Sequence, residues 1–241
     1  MKKLNILNKF LIITTVVLVV LFIFKIVVYK KWDRYYYTSS VSNPEEFPIH
    51  IFGIWFVKEN DKYGGNFYKD IDKINAFYSD WGAGEYYEAY EPEPLPLSLF
   101  VEYMDFRTKH YYLDTIALPK EKMLDIFKDA KNNGYLRKLS SGKRKMGLEF
   151  HVGIANEGNI IFWLAGDKYE KEFHRSQLFP KPIPDKIASS AQIEVTRDKE
   201  EFASALFSEI PDSTKLNMLQ QDISNLQYKD SIPVYFKYLR R

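Results

Sequence analysis

The sequence GLEFHVGIANEGNIIFWLAG, residues 147–166, sets two apolar runs on either side of the turn Ala155-Asn156-Glu157-Gly158. Runs rich in isoleucine, valine and aromatic residues, separated by a short stretch that contains glycine, predict a β-hairpin. The alternating runs 97–105 and 110–118 flank a turn at residues 106–109 and predict a second hairpin. The hairpins indicate a largely antiparallel sheet, because two strands joined by a short turn run in opposite directions.

The rest of the body contributes further strands and a few helices. Residues 47–57 are almost continuously apolar, which predicts a strand buried on both faces. Residues 119–134 predict a helix with Pro119 at its first position and Asn133-Gly134 at its end. We also expect a charged edge strand at 168–178, a helix capped by Asp198 at 198–210, and a terminal strand at 232–239. Hairpins interspersed with helices predict an α+β fold.

Charge is distributed unevenly along the chain. The formal net charge of the whole chain is +2, but its first 34 residues hold seven basic side chains and one acidic one, a net of +6. Residues 35–241 therefore carry −4. A mildly acidic body lacks the basic face needed to neutralise phosphates, so we expect no binding of nucleic acid.

The sequence offers little for metal, cofactor or covalent chemistry. It contains no cysteine, which excludes disulfides, thiolate metal sites, cysteine nucleophiles and the lipid-modified cysteine of bacterial lipoproteins. Each of the four histidines lies in a predicted strand without a second histidine at metal-ligand spacing, so zinc is disfavoured. The glycine motifs of nucleotide sites are incomplete as well. We expect no cofactor, no metal site and no identifiable catalytic residue.

Residues 10–29, FLIITTVVLVVLFIFKIVVY, have the length and composition of a membrane span. Twenty helical residues reach about 30 Å, and Lys25 lies near enough to one end to extend its ammonium toward the headgroups. A cleaved signal peptide is the alternative, but a small-residue cleavage site should follow its apolar run closely. The nearest candidate, Ser40-Val41-Ser42, lies well beyond that run. We therefore expect a retained anchor.

These features predict four successive parts. Residues 1–9 form a cytoplasmic N-terminus, residues 10–29 the transmembrane anchor, residues 30–46 a polar juxtamembrane tether, and residues 47–241 a single extracytoplasmic α+β domain. Basic residues flank both ends of the anchor, so the positive-inside rule alone does not decide the orientation.

Residues 81–96, WGAGEYYEAYEPEPLP, combine aromatic rings with acidic side chains. Tyrosine and tryptophan provide a large contact area at low entropic cost, and glutamates suit a basic partner, so the stretch is a candidate partner-binding surface. The alternative is a proline-ended loop whose tyrosines pack on the sheet. The candidate partner-binding residues are Trp81, Glu85, Tyr86, Tyr87, Glu88 and Tyr90.

Three motifs in order carry a family resemblance: LPLSLFVEYMD before one hairpin, LPKEKMLDIFKDA at a helix start, and VGIANEGNIIFWLAG in the other hairpin. Together they resemble the bacterial domain-of-unknown-function family 2931 over residues 47–177. The resemblance implies a small envelope protein and an extracytoplasmic body, but no reaction. Many members look like lipoproteins, whereas this chain has no cysteine and a spanning helix instead.

Three functions remain open at this point. We expect a bacterial inner-membrane protein with a periplasmic body that binds a protein or another envelope component, and neutralisation of a toxin is one form such binding could take. The second possibility is an envelope hydrolase that uses paired carboxylates, which would have to converge in a pocket. The third is a purely structural envelope protein, which predicts no concave pocket.

Overall fold

The computed structural model describes residues 5–29, 33–59, 63–67, 81, 86–88, 91–139, 145–190 and 193–230. The chain divides into two compact units, Met1–Arg34 and Tyr35–Arg241. The predicted strand at 232–239 lies outside the described residues, as do residues 1–4 of the predicted cytoplasmic N-terminus.

The first unit contains one helix, α1, over Ile6–Tyr29. It begins four residues before the predicted span. Its segment Ile6–Val27 is long and apolar enough to cross a membrane, and none of that segment is buried. A signal sequence near the N-terminus would have the same properties.

The second unit, which we call the body, has an α+β fold, as predicted. Its three described α-helices are Lys120–Asn132 (α2), Lys199–Ala205 (α3) and Asp212–Gln220 (α4). Its described strands are Tyr37–Ser42 (β1), Ile49–Val57 (β2), Tyr63–Asn66 (β3), Tyr86–Glu88 (β4), Ser98–Asp105 (β5), Tyr111–Ala117 (β6), Arg137–Lys138 (β7), Met146–Ile154 (β8), Asn159–Gly166 (β9) and Tyr169–Gln177 (β10).

The strands form two sheets. The first has the order β10-β9-β8-β1-β4, with β7 paired to β8, and the second has the order β3-β2-β5-β6. Both predicted hairpins are confirmed as β8–β9 and β5–β6. The charged strand predicted at 168–178 is β10, which lies at an edge of the first sheet among the described strands.

One prediction about the chain's organisation is wrong. Residues 37–42, expected to belong to a tether, form β1 inside the first sheet. β1 runs parallel to β8 in continuous register from Tyr37↔Leu148 to Ser42↔Gly153 and antiparallel to β4. The serines suggested a solvated segment, but Ser39, Ser40 and Ser42 are buried. The hydroxyls of Ser40 and Ser42 bond to polar side chains of β8, which makes their burial possible. The body therefore begins at Tyr35 and not at residue 47.

The main core lies between the inward faces of the two sheets and is closed by α2. Alternate residues of each strand point into it, as a period of two requires. The ring of Tyr37 packs edge-on against Phe56 of the second sheet and Phe150 of the first. The face of α2 predicted from helical spacing is confirmed, and its buried residues are Met123, Ile126, Phe127 and Ala130.

A second core covers the outer face of the second sheet. Asp198 caps α3 as predicted, accepting hydrogen bonds from the backbone of Glu200 and Glu201. The helix ends at Ala205, earlier than the predicted residue 210, and its buried residues are Phe202 and Ala203. The carboxylate of Glu102, fully buried on β5, accepts hydrogen bonds from Tyr111 and from two backbone amides at 188–189. These bonds fasten the segment before α3 to the sheet.

Candidate functional site

A cavity of about 430 Å³ opens where several turns of the body meet. Its walls come from five segments that are distant in the sequence: 47–49 at the start of β2, 103–112 around the β5–β6 turn, 155–158 in the β8–β9 turn, 177–180 after β10, and 223–227. A concave site with apolar walls and a few polar groups is the usual form of a small-ligand site.

The two hairpin turns hold their shape through local bonds. Asp105 accepts hydrogen bonds from the backbone amide and the hydroxyl of Thr108 across the β5–β6 turn. Gly158 adopts φ = 76° in the β8–β9 turn, and a Cβ added there would lie 2.3 Å from the carbonyl oxygen of Leu178. The turn and the segment after β10 are therefore in direct backbone contact, which fixes two of the five walls.

Two polar groups beside the cavity have no hydrogen-bond partner among the described residues. They are the hydroxyl of Tyr103 and Nη2 of Arg107, and both side chains line the cavity. Tyr103 is 1% exposed, and its ring stacks on Tyr112 at 4.8 Å. Burial raises the pKa of Tyr103 far above its ordinary value, so the hydroxyl keeps its proton. An unpaired buried donor costs free energy that a bound acceptor would recover.

The guanidinium of Arg107 is held in place by its surroundings. Its Nε donates to the carbonyl oxygen of Glu46 at 2.6 Å, and its Cζ lies 5.5 Å from the centre of the Phe47 ring. The carboxylate of Glu46 itself accepts a hydrogen bond from Tyr228 at 2.5 Å. Burial lowers the pKa of Arg107, and the charge of Glu46 opposes that shift. The side chain stays a cation, and its contacts with Glu46 and Phe47 fix its orientation. Its Nη2 has no hydrogen-bond partner among the described residues.

The apolar lining of the cavity extends to its rim. Phe179 lines the cavity and is 75% exposed, so its ring lies at the solvent-facing rim. The other apolar side chains of the lining include Phe47, Ile49, Leu178, Ile223 and Leu226.

A separate polar cluster lies on the outer face of the first sheet, across β1 and β8. The hydroxyl of Ser40 lies 2.6 Å from Glu149 Oε1 and 2.7 Å from His151 Nδ1. Ser42 Oγ lies 2.8 Å from His151 Nε2. Arg137 pairs with the other carboxylate oxygen of Glu149. Hydroxyl, imidazole and carboxylate in a chain resemble the parts of an activated nucleophile.

This cluster is buried and does not line the cavity. Ser42 and His151 are 1% and 4% exposed, and the ring of Trp163 lies 5.6 Å from that of His151. Burial lowers the pKa of His151 to about 4, so its imidazole is neutral near pH 7. Because substrate would have no route to Ser42 through the described surroundings, we assign the cluster to the stability of the β1–β8 pair.

The other histidines are scattered. His50 and His174 lie in strands as expected, while His110 lies in the turn just before β6 and lines the cavity. Among the described residues, no group of three histidine, aspartate or glutamate side chains could hold a metal ion.

The candidate partner-binding residues are only partly described. Trp81 is 4% exposed, and its ring packs against Trp163 and Tyr228 at 5.6 Å each, so it belongs to a small core cluster. The backbone of Tyr86, Tyr87 and Glu88 forms β4, an edge strand beside β1, where the alternative had predicted a loop. Glu85 and Tyr90 lie outside the described residues. The structure thus brings β4 to a sheet edge and Trp81 to the interior.

Sequence reasoning missed both sites. The alternation of Thr38, Ser40 and Ser42 with Tyr37 and Val41 was a period-two signal for a strand. Nothing near Arg107 or Tyr103 distinguishes them from other hairpin residues, since the cavity depends on segments that meet only in the fold.

Residues 28–234 match the family model described as "Protein of unknown function (DUF2931)". The chain belongs to the DUF2931 family. The match is wider than the predicted 47–177, and it includes β1 and all five segments that line the cavity. No curated protein and no solved structure matches the chain. DUF2931 membership therefore covers the body as far as residue 234 and brings no reaction to it.

The buried His151 predicts a specific pH dependence of stability. Its pKa is about 4 in the folded chain and about 6.5 when unfolded, so the unfolded chain binds the extra proton first. The free energy of unfolding that the neutral imidazole contributes is complete above pH 6.5 and is lost as the pH falls toward 4. Between pH 7.5 and pH 4.5, the free energy of unfolding should fall by about 2 to 3 kcal/mol from this group.

Urea unfolding at the two pH values, followed by tryptophan fluorescence, measures this loss. His151→Asn should be less stable than the wild type at pH 7.5. Its free energy of unfolding should fall by about 2 to 3 kcal/mol less than that of the wild type between pH 7.5 and pH 4.5. Burial also lowers the pKa of His50 to about 4, and that contribution remains in the variant. Equal losses in the wild type and the variant would contradict a neutral buried His151.

Proposed function

We propose that this chain is a single-pass protein of the bacterial inner membrane whose periplasmic body binds a small ligand. The anchor rests on α1, whose apolar segment Ile6–Val27 has the length of a membrane span. The retained state of that helix rests on the missing cleavage site, and the periplasmic side rests on the envelope character of the family resemblance.

The observation that carries the binding function is the cavity. A volume of about 430 Å³ is within the range of small-molecule sites, and its mixture of apolar walls with a few polar groups suits an amphipathic ligand. A purely structural envelope protein requires no such cavity. The cavity therefore favours binding over a structural role.

The hydrolase alternative receives less support from the cavity. Its carboxylates among the described lining residues are Asp105 and Glu157, and Asp105 is committed to Thr108 in its own turn. Glu157 lies in the left-handed region with φ = 59° in the β8–β9 turn and is exposed. Neither carboxylate is fully buried, so neither has the desolvated setting typical of a catalytic acid.

A protein partner on the edge strand β4 is a second proposal. Among the described strands, β4 lies at an edge of the first sheet, and an edge strand offers backbone groups and side chains to a partner. Capture from detergent-solubilised membranes by the wild type and by Tyr86→Ala tests this proposal, since Tyr86 pairs with Ser40 and not with a residue on the core face of β1. Equal capture of the partner by both chains would exclude Tyr86 from the binding surface.

The proposed membrane orientation predicts whether a reporter enzyme fused to the C-terminus is active. Alkaline phosphatase fused after Arg241 should be active, because the enzyme requires the oxidising periplasm, and mass spectrometry of the membrane fraction should find the peptide that contains α1. The matched control is the same fusion on a chain that begins at Tyr35, which should be inactive. Phosphatase activity in the control alone, or a mature chain that begins near Ser42, would contradict the proposal.

Filling the mouth of the cavity should abolish binding. Gln177 lines the cavity at the exposed end of β10, where a tryptophan is compatible with a strand. We expect Gln177→Trp to weaken the binding of neutral 4-phenylbutanamide at least tenfold, measured by calorimetry, with little change in the thermal midpoint. Thr115→Trp on β6, an exposed strand position outside the lining, is the control and should bind normally. Equal binding by both variants would contradict the cavity as the site.

A further inference from the structure

The ligand class follows from the two unpaired donors of the cavity, so this inference rests on the proposed function. Nη2 of Arg107 and the hydroxyl of Tyr103 are buried, belong to side chains that line the same cavity, and have no partner among the described residues. Native proteins pair almost all such buried groups. A ligand that accepts hydrogen bonds from both would remove the unfavourable free energy of leaving them unpaired.

Nη2 of Arg107 remains a donor for a ligand, although the charge of Glu46 acts on the guanidinium. The carboxylates of Asp105 and Glu46 accept hydrogen bonds from Thr108 and Tyr228, and no described hydrogen bond joins either carboxylate to Arg107. Glu46 meets Arg107 through its backbone carbonyl, which accepts from Nε. The planar guanidinium therefore retains donors for an anion, and a guanidinium prefers a planar carboxylate that it can contact in bidentate geometry.

The surrounding charges favour an anion of low charge. Asp105 and Glu157 line the same cavity, and each would repel a dianion such as a phosphate monoester. A carboxylate carries one negative charge and needs about as many donors as Arg107 and Tyr103 can give. The apolar lining, continued at the rim by the exposed ring of Phe179, then suits a hydrocarbon or aromatic body.

We propose that the cavity binds a small monocarboxylate with an apolar body, whose carboxylate is held by Arg107 and Tyr103. The body of the ligand packs against Phe47 and Leu178, and Phe179 covers it at the rim. The site recognises the ligand by charge and hydrogen bonding at one end and by apolar contact at the other.

The test compares 4-phenylbutyrate with its neutral isostere 4-phenylbutanamide. Calorimetry uses the full chain in lipid nanodiscs, with empty nanodiscs subtracted. We expect the carboxylate to bind at least tenfold more tightly than the amide. A site built to pair a charged group discriminates strongly against an analogue that leaves its donors poorly matched.

Substitutions of Arg107 and Tyr103 test whether these two side chains cause the preference for the carboxylate over the amide. Arg107→Gln should bring the two compounds to equal affinity, and Arg107→Lys should keep part of the preference, because the charge remains and the planar fork is lost. Tyr103→Phe should reduce carboxylate affinity several-fold. Lys131→Gln on α2, which removes the same charge outside the lining, should leave the preference unchanged. Thermal midpoints within a few degrees of the wild type would exclude misfolding as the cause.

The outcomes separate this inference from the function on which it rests. Equal binding of acid and amide by the wild type would overturn the carboxylate site while leaving the binding function intact. A preference for the acid that survives in Arg107→Gln would overturn the assigned residues. Binding of neither compound would overturn both proposals.

Discussion

The parallel pairing of β1 with β8 is the constraint on which the body depends. It joins the strand nearest α1 in sequence to the hairpin farther along the chain, over six consecutive residue pairs. Non-local parallel pairing costs loop-closure entropy, which its contacts must offset. Here the outer face contributes the bonds of Ser40 to Glu149 and His151, and the inner face contributes the ring of Tyr37 between Phe56 and Phe150. The outer face of β1 is thus bonded to β8 within the first sheet, and its inner face contacts the second sheet through Tyr37 and Phe56.

The cavity is a consequence of this arrangement. Each hairpin determines its own turn locally, but the turns of β5–β6 and β8–β9 become neighbours only when the two sheets face each other across the main core. The contact between Gly158 and Leu178 then completes the wall. Rigid strands on both sides keep Tyr103 and Arg107 in position before any ligand binds, which lowers the entropy lost on binding.

The sequence predicted the elements whose signals are local. The β8–β9 hairpin, the buried face of α2 and the Asp198 cap of α3 each follow from a few adjacent residues, and all three are present. β1 was missed because its serines are polar and their partners lie about 110 residues away. The cavity was missed for a related reason: Arg107 is an ordinary turn residue until the fold brings Phe47 and Leu178 beside it. Trp81, predicted at a surface, is buried because Trp163 and Tyr228 surround it.

The central claim is that residues 37–42 form a strand of the body and not a tether. Amide hydrogen exchange of the full chain, resolved to residues 38–42, tests it most directly. If β1 lies inside the sheet, these amides should exchange as slowly as those of β8, since both are released only when the body unfolds. The exposed end of α4 should exchange much faster under the same conditions. Exchange of residues 38–42 at the rate of an unstructured peptide, with β8 still protected, would contradict the account.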